Sequence, residues 1–97
     1  KAIEYLKKSN SDYSKRALAQ CYLYNNNLEE AINILTQLPE NVFVLNDLAA
    51  AYLLVGEYTK AYLTVSKIPQ NRRAGKILEN IEIVEKIFNA RSSFSLE

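Results

Sequence analysis

Residues 18–23 read Leu-Ala-Gln-Cys-Tyr-Leu, and residues 48–53 read Leu-Ala-Ala-Ala-Tyr-Leu, so one pattern returns after thirty positions. The match continues downstream at the same offset, where an alanine, an aliphatic residue and a proline recur. The matching pairs are Ala31 with Ala61, Leu35 with Val65, Leu38 with Ile68, and Pro39 with Pro69. A repeat of this length indicates stacked supersecondary units.

Each unit is predicted to contain two helices, because turn-forming residues interrupt the apolar pattern at matching places. In the first unit a helix from Asp12 to about Tyr24 is followed by three asparagines. Gly56 stands in the second unit where Asn26 stands in the first, and both residue types suit a left-handed conformation after a helix. Pro39 and Pro69 then end the second helix of each unit.

Residues that favour helix N-caps precede the predicted helices. Ser11, Asn41 and Asn71 recur at thirty-residue intervals, each just before a predicted first helix. Asn27 is predicted to cap the second helix of the first unit, with Glu30 completing a capping-box pair.

The ends of the chain carry partial units. A third first helix is predicted to begin at Arg72 and to continue to about residue 90 as one longer terminal helix. Glu79 and Glu82 stand there in place of the repeated alanine and tyrosine. Near the N-terminus, Ala2-Ile3-x-x-Leu6 predicts that residues 1–8 form the second helix of an earlier unit. The predicted organisation is one domain over 1–91, with full repeats at 12–41 and 42–71 and partial units at 1–11 and 72–91. Residues 92–97 are predicted as a tail, and its Leu-Glu ending is typical of a cloning scar before an affinity tag.

The repeated pattern resembles the tetratricopeptide repeat, whose signature is W-x-x-L-G-x-x-Y, then A-x-x-x-F, then P. The matching residues are Leu18, Ala19, Tyr22, Ala31, Leu35 and Pro39 in one unit, and Leu48, Ala49, Tyr52, Gly56, Ala61, Val65 and Pro69 in the next. The period is thirty rather than 34 residues, and Lys15 and Leu45 stand at the tryptophan position. The resemblance implies an all-α fold: a right-handed α-solenoid of antiparallel helix pairs with about six helices.

The repeated small and aromatic residues are predicted to form the core. Ala19, Ala31, Ala49 and Ala61 fall where paired helices cross closely, while Tyr22 and Tyr52 fill the wider space beside the crossing.

Composition argues against catalysis and against several classes of ligand. The 97 residues carry a net charge of +1, with no histidine and one cysteine, Cys21. The commonest general base and metal ligand is therefore missing, and we expect no enzymatic activity, cofactor or metal. The balanced charge predicts no nucleic-acid binding, and no apolar run is long enough for membrane insertion. The compartment stays open between cytoplasm and periplasm.

The resemblance implies that the first helices line a concave groove that binds a protein or peptide partner. The groove would be lined by Tyr13, Arg16, Gln20 and Tyr24, then Phe43, Asn46, Asp47 and Leu54, then Arg73, Lys76, Ile77 and Asn80. The alternative is a solvated face in a structural spacer.

In tetratricopeptide proteins with a dicarboxylate clamp, basic and asparagine side chains hold a C-terminal carboxylate. Arg16 and Arg73 lie near such positions, whereas Gln20, Asp47 and Ile77 depart from that pattern.

The terminal helix carries more apolar surface than one contact requires. One stripe is formed by Ile77, Ile81, Val84 and Phe88, and Leu78, Ile83 and Ile87 widen it to more than half of the circumference. Ile83 and Ile87 are therefore predicted as an association surface for a further repeat, a second copy of the chain or another protein.

The predicted function of the chain is a protein-interaction scaffold within a larger protein. The alternatives are a spacer or self-association segment, or a regulatory domain attached to an enzyme.

Overall fold

The computed structural model describes the backbone of residues 11–95 and the side chains of residues 11–91. Over this part of the chain the fold is all-helical, as predicted, and contains no strand. The elements are α1 (Asp12–Tyr24), α2 (Leu28–Gln37), α3 (Val42–Val55), α4 (Tyr58–Ser66), a 3-10 turn (Gln70–Arg72) and α5 (Gly75–Ser95). The helix predicted over residues 1–8 lies outside the described residues.

The middle helix α3 organises the packing. Each helix contacts its neighbours along the chain, and α3 contacts all four of the others. Its buried residues are correspondingly spread around the helix: Val42, Val44, Leu45, Asp47, Leu48, Ala49 and Ala51. A helix that is apolar on most sides is typical of an element enclosed by others.

The two turns inside the helix pairs have the same geometry. Asn26 has a φ of 63° and Gly56 a φ of 87°, which confirms the left-handed conformation predicted at both places. The backbone N–H of Asn27 donates to the carbonyl of Tyr22 at 2.8 Å, and that of Glu57 donates to the carbonyl of Tyr52 at 2.9 Å. Both turns therefore close in the Schellman pattern, which satisfies carbonyls at the end of the first helix of each pair.

The predicted N-caps of α1 and α3 are confirmed. The side chain of Ser11 accepts from the backbone N–H of Ser14 at 3.0 Å, and the side chain of Asn41 accepts from that of Val44 at 2.9 Å. The capping box predicted at Asn27 is wrong, since its side chain makes no cap hydrogen bond. Asn27 already closes the preceding Schellman turn, and its ψ of 70° differs from the extended ψ of 150° at Ser11.

The predicted start of the third unit at Arg72, with Asn71 as its N-cap, is also wrong. The N–H of Arg72 donates to the carbonyl of Pro69 at 3.0 Å, which places Asn71 inside a 3-10 turn. Helix α5 begins only at Gly75, whose φ is 58°. Its far end also differs from the prediction, because the helix continues through Ser95 and includes residues 92–95 that were predicted as tail.

Two buried apolar clusters fill the interior, one on each side of α3. The first combines Ala19, Leu35, Leu38, Val44 and Leu48, and the second combines Val42, Leu45, Ala49, Ala61, Val65, Ile68, Ile81 and Val84. The four crossing alanines are at most 1% exposed, which confirms their predicted place in the core. Tyr52 packs against both clusters and so joins the two sides of α3.

Candidate protein-binding surface

Three of the polar residues predicted to line the groove meet between α1 and α3. Arg16 donates from Nε to Oδ2 of Asp47 at 2.7 Å, and Gln20 donates from Nε2 to the same oxygen at 3.4 Å. Asp47 is only 8% exposed, whereas the side chain of Arg16 is 28% exposed, so this ion pair joins two helices at a partly buried junction. Because a buried carboxylate without a partner is costly, the pair fixes how α1 lies against α3.

Burial also sets the protonation chemistry of this contact. Loss of solvent raises the pKa of Asp47 above its ordinary value of 3.8, while the hydrogen bond and positive charge of Arg16 and the hydrogen bond from Gln20 act in the opposite direction. Asp47 therefore does not present a free anion to an approaching ligand. Arg16 lies near a clamp position by resemblance, but its Nε already donates a hydrogen bond to Asp47 inside the protein.

A recess of about 270 Å³ opens beside this ion pair. It is lined by Asp12, Tyr13, Arg16, Leu38, Pro39, Asn41, Phe43 and Val44. Tyr13 is 81% exposed and Phe43 is 51% exposed, so two aromatic side chains stand at its rim. The guanidinium of Arg16 lies 5.3 Å from the centre of the Phe43 ring, a cation–π contact that orients this aromatic side chain.

A second recess, of about 300 Å³, lies one repeat further along the chain. Its lining residues are Glu40, Asn41, Val42, Phe43, Leu45, Lys67, Pro69 and Arg72. Phe43 and Pro69 stand here thirty positions after Tyr13 and Pro39, and Asn41 and Phe43 line both recesses. The repeat therefore generates two adjoining recesses, each lined by an aromatic side chain and a proline. We refer to them together as the double recess.

The groove residues predicted on α5 line neither recess. Asn80 donates from Nδ2 to Oδ1 of Asn46 at 3.0 Å, which joins α5 to α3 by a pair of amides. Ile77 packs against the second apolar cluster, whereas Lys76 is exposed. At the other end of the first helices, Tyr24 and Leu54 are 91% and 64% exposed, away from the residues that line the double recess.

Arg73 has a structural task that the sequence did not reveal. Its Nε donates to the carbonyl of Ile68 at 3.0 Å, and its Nη2 donates to that of Val65 at 3.3 Å. A weaker ion pair joins Nη1 to Oε2 of Glu85 at 3.7 Å. Arg73 thus satisfies carbonyls at the end of α4 and ties that end to α5.

The outer side of α5 forms a different kind of surface. Ile83 is 49% exposed and Ile87 is half-buried, so the two residues of the predicted association surface differ in accessibility. A recess of about 280 Å³ on this side is lined by Glu79, Glu82, Ile83 and Lys86. We call these four residues the α5 outer face.

Sequence reasoning missed the pairing of Arg16 with Asp47, although it singled out both residues. The available signal is their spacing of 31 residues, close to one repeat, which places opposite charges on neighbouring first helices. The pairing of Asn46 with Asn80 spans 34 residues instead. Because α5 begins late, its register against α3 differs from that of α3 against α1, and no single offset finds both contacts.

The described side chains offer no metal centre, since no three or more His, Cys, Asp or Glu residues among them are grouped to hold an ion. None of the described helices is long and apolar enough to cross a membrane. Comparison of the chain with protein-family models, curated protein sequences and solved structures finds no match.

Proposed function

We propose that this chain is a tetratricopeptide-like interaction module that scaffolds a larger assembly by binding a peptide segment of a partner protein in the double recess. The proposal includes the right-handed solenoid arrangement implied by the repeat. The observation that carries it is the recurrence of one recess at repeat spacing, lined by Tyr13 and Pro39 in the first unit and by Phe43 and Pro69 in the next. A binding surface built by the repeat itself is what a helical-repeat module offers.

The dimensions favour a peptide over a small molecule. Each recess lies at or below the lower end of the range of about 300–1,000 Å³ that is typical of small-molecule pockets. A volume of this size suits one or two side chains. Neighbouring packed helices lie roughly 10 Å apart, which corresponds to about three residues of an extended chain. The expected ligand therefore carries two apolar side chains about three residues apart.

The chemistry of the rim favours a protein partner as well. Tyrosine is among the residues that contribute most to protein interfaces, and aromatic side chains in general are enriched there. Arg16 holds the ring of Phe43 in place before binding, which lowers the entropic cost of ordering that side chain. Since Arg16 and Asp47 neutralise each other, a ligand need not supply a compensating charge at that point.

The proposal is tested by selecting peptides from a random display library on the whole chain. The binding of an enriched peptide is then measured by fluorescence anisotropy with the wild type, the Tyr13→Ala, Phe43→Ala double variant and the control Leu63→Ala. Leu63 is a 57% exposed apolar residue on α4 that lines neither recess. We expect the double variant to weaken binding by at least about tenfold, while the control retains wild-type affinity.

Two results would count against the proposal. One is that no peptide is enriched above background, which would favour a structural spacer. The other is that the double variant, shown by circular dichroism to keep its helical content, binds enriched peptides as tightly as the wild type.

A further inference from the structure

Charged side chains line both parts of the double recess, and most of them are already paired. The first recess contains Arg16, whose Nε donates to Oδ2 of the buried Asp47 at 2.7 Å. The second recess contains Glu40 and Lys67, which form an ion pair with each other at 2.8 Å. Each of these pairs is neutral, so neither adds a net charge to the surface.

One further charged residue remains in each recess. Asp12 lines the first recess and Arg72 lines the second, and both residues are exposed. Neither side chain forms an ion pair within the described part of the chain. The double recess therefore offers a ligand one carboxylate and one guanidinium, in addition to its apolar lining.

The two charges lie on opposite sides of the aromatic centre of the double recess. Asn41 and Phe43 line both recesses. Of the two charged residues, Asp12 lines only the first recess and Arg72 only the second. The 3-10 turn holds the backbone of Arg72 in place, since its N–H donates to the carbonyl of Pro69 at 3.0 Å. Phe43 thus stands between a negative end and a positive end.

We propose that the partner segment bound in the double recess is bipolar, with a basic side chain at Asp12, two apolar side chains in the recesses and an acidic side chain at Arg72. Complementary charges at an interface select partners and fix the register of binding more than they add affinity. A segment with two acidic or two basic ends places a like charge against one end of the double recess. The inference rests on the proposed function, because it names the chemistry of the segment that this surface binds.

The charge preference is modest and salt-sensitive. Because both residues are exposed and exposed ion pairs are weak, reversing one charge should change the affinity for a peptide by about three- to tenfold at low salt. Added salt screens this difference. Apolar contacts with Tyr13 and Phe43 are not screened, so peptide binding itself persists at high salt.

The experiment uses a peptide that is enriched on the whole chain from the random display library and binds the Tyr13→Ala, Phe43→Ala double variant more weakly than the wild type. The two residues that flank its apolar pair are replaced to give four versions: bipolar in both orders, two lysines, and two glutamates. The affinity of each version for the wild type, Asp12→Lys and Arg72→Glu is measured by fluorescence anisotropy at low and high salt.

Each protein is expected to prefer a different version of the peptide. The wild type binds the better bipolar version about three- to tenfold more tightly than either like-charged version. Asp12→Lys makes both ends of the double recess positive, so this variant prefers the version with two glutamates. Arg72→Glu makes both ends negative, so this variant prefers the version with two lysines. These preferences hold for either direction of the bound peptide.

Glu29→Lys and Lys86→Glu are the matched controls, because they change the net charge by the same amounts at exposed positions that line neither recess. Glu29 lies in the first turn of α2 as Asp12 lies in the first turn of α1, so this control also reproduces the change at a helix N-terminus. Both controls are expected to keep the preference for the bipolar version, and circular dichroism checks that every variant stays helical.

The contrary outcomes separate the inference from the proposed function. If the peptide depends on Tyr13 and Phe43 but all four versions bind alike, the charge preference is refuted and the proposed function stands. The same holds if the controls shift the preference as much as Asp12→Lys and Arg72→Glu do. If no peptide is enriched, or none depends on Tyr13 and Phe43, the proposed function fails and the inference fails with it.

Discussion

The two repeated helix pairs and the terminal helix solve the same packing problem in different ways. In α1–α2 and α3–α4, fully buried alanines let the helices approach closely, and a Schellman turn ends the first helix of each pair. Helix α5 has no such alanine. It is held by Ile81 and Val84 in the core, and by the ring of Phe88, which stacks on Tyr62 at 4.1 Å. The repeats thus combine small residues at the helix crossings with large side chains in the core, whereas the terminal helix is held by large side chains alone.

This difference bears on how each region can be used. In the repeated pairs the alanine side of each first helix is buried. The double recess forms near the starts of these helices, at Tyr13 on α1 and Phe43 on α3. The terminal helix buries one stripe and leaves a charged face that no described element covers. Repetition therefore produces the candidate binding surface, and its interruption at α5 leaves a charged, exposed helix face instead.

The largest effect is expected from shortening a side chain that anchors α5. Ile81 is 1% exposed, so Ile81→Ala removes buried apolar contacts and leaves a cavity. We expect the free energy of unfolding to fall by about 2–5 kcal/mol. The change is measured by urea unfolding followed by circular dichroism. Ile83→Ala on the exposed side of the same helix is the control, and an equal loss in both variants would mean that large buried residues are not what holds α5.

Overpacking a crossing in the repeats should cost somewhat less. Ala49 is 1% exposed, and Ala49→Leu forces α3 away from α4 and α5, which pack around it. The expected loss is about 1–3 kcal/mol in the free energy of unfolding. Ala90→Leu, at an exposed site on α5, should change stability by less than about 0.5 kcal/mol. Thermal and urea unfolding of both variants check this, and a neutral Ala49→Leu would contradict the close crossing.

The caps give a smaller but sharply controlled comparison. Asn41 accepts from the backbone N–H of Val44, whereas Asn71 lies in the 3-10 turn before α5. Asn41→Ala should therefore lower the free energy of unfolding by about 1 kcal/mol, and Asn71→Ala should leave it nearly unchanged. Both asparagines are exposed and have the same flanking role by sequence. If the two substitutions cost the same, then α5 is capped as the repeats are.

The smallest effect concerns the pH dependence of the contact between α1 and α3. The pKa of Asp47 is raised above 3.8 by burial, so the folded state binds this proton more tightly than the unfolded chain does. The stability contributed by the group is fully present below pH 3.8 and is lost as the pH rises through the raised pKa.

Comparison with Asp47→Asn isolates this contribution, because other carboxyls titrate in both proteins. The free energy of unfolding of the wild type, relative to the variant, should fall as the pH rises from 3.8. Urea unfolding at a series of pH values measures it. A relative stability that increases with pH would mean that Arg16 outweighs burial at this site.

The repeat made the architecture of α1 to α4 predictable, because each boundary depends on local chemistry: Pro39 ends a helix, and Asn26 and Gly56 permit a left-handed turn. The start of α5 could not be predicted in the same way. Asn71 repeats the local signal of Asn41, but a tertiary contact competes with it, since Arg73 reaches back to the carbonyls of Ile68 and Val65. Local propensity is a weak guide where such a contact decides the backbone.

The candidate site was predictable in its members and not in its pairings. The register of the repeat selected Arg16, Asp47, Asn46 and Asn80, and the structure joins them as one ion pair and one amide pair. Which residue meets which depends on how far one helix slides along its neighbour. A sequence pattern does not contain this displacement between helices. The recesses could not be predicted for the same reason, since they combine loop and helix residues from different units.

The central claim is that the repeat builds a peptide-binding surface at the double recess, and a titration followed by amide NMR tests it most directly. Addition of a peptide selected on the wild type to the isotopically labelled chain should shift the amide resonances of Tyr13 and Phe43 and leave those of Glu79, Ile83 and Lys86 unchanged. The claim is contradicted if the peptide shifts the resonances of α5 and leaves those of the double recess unchanged.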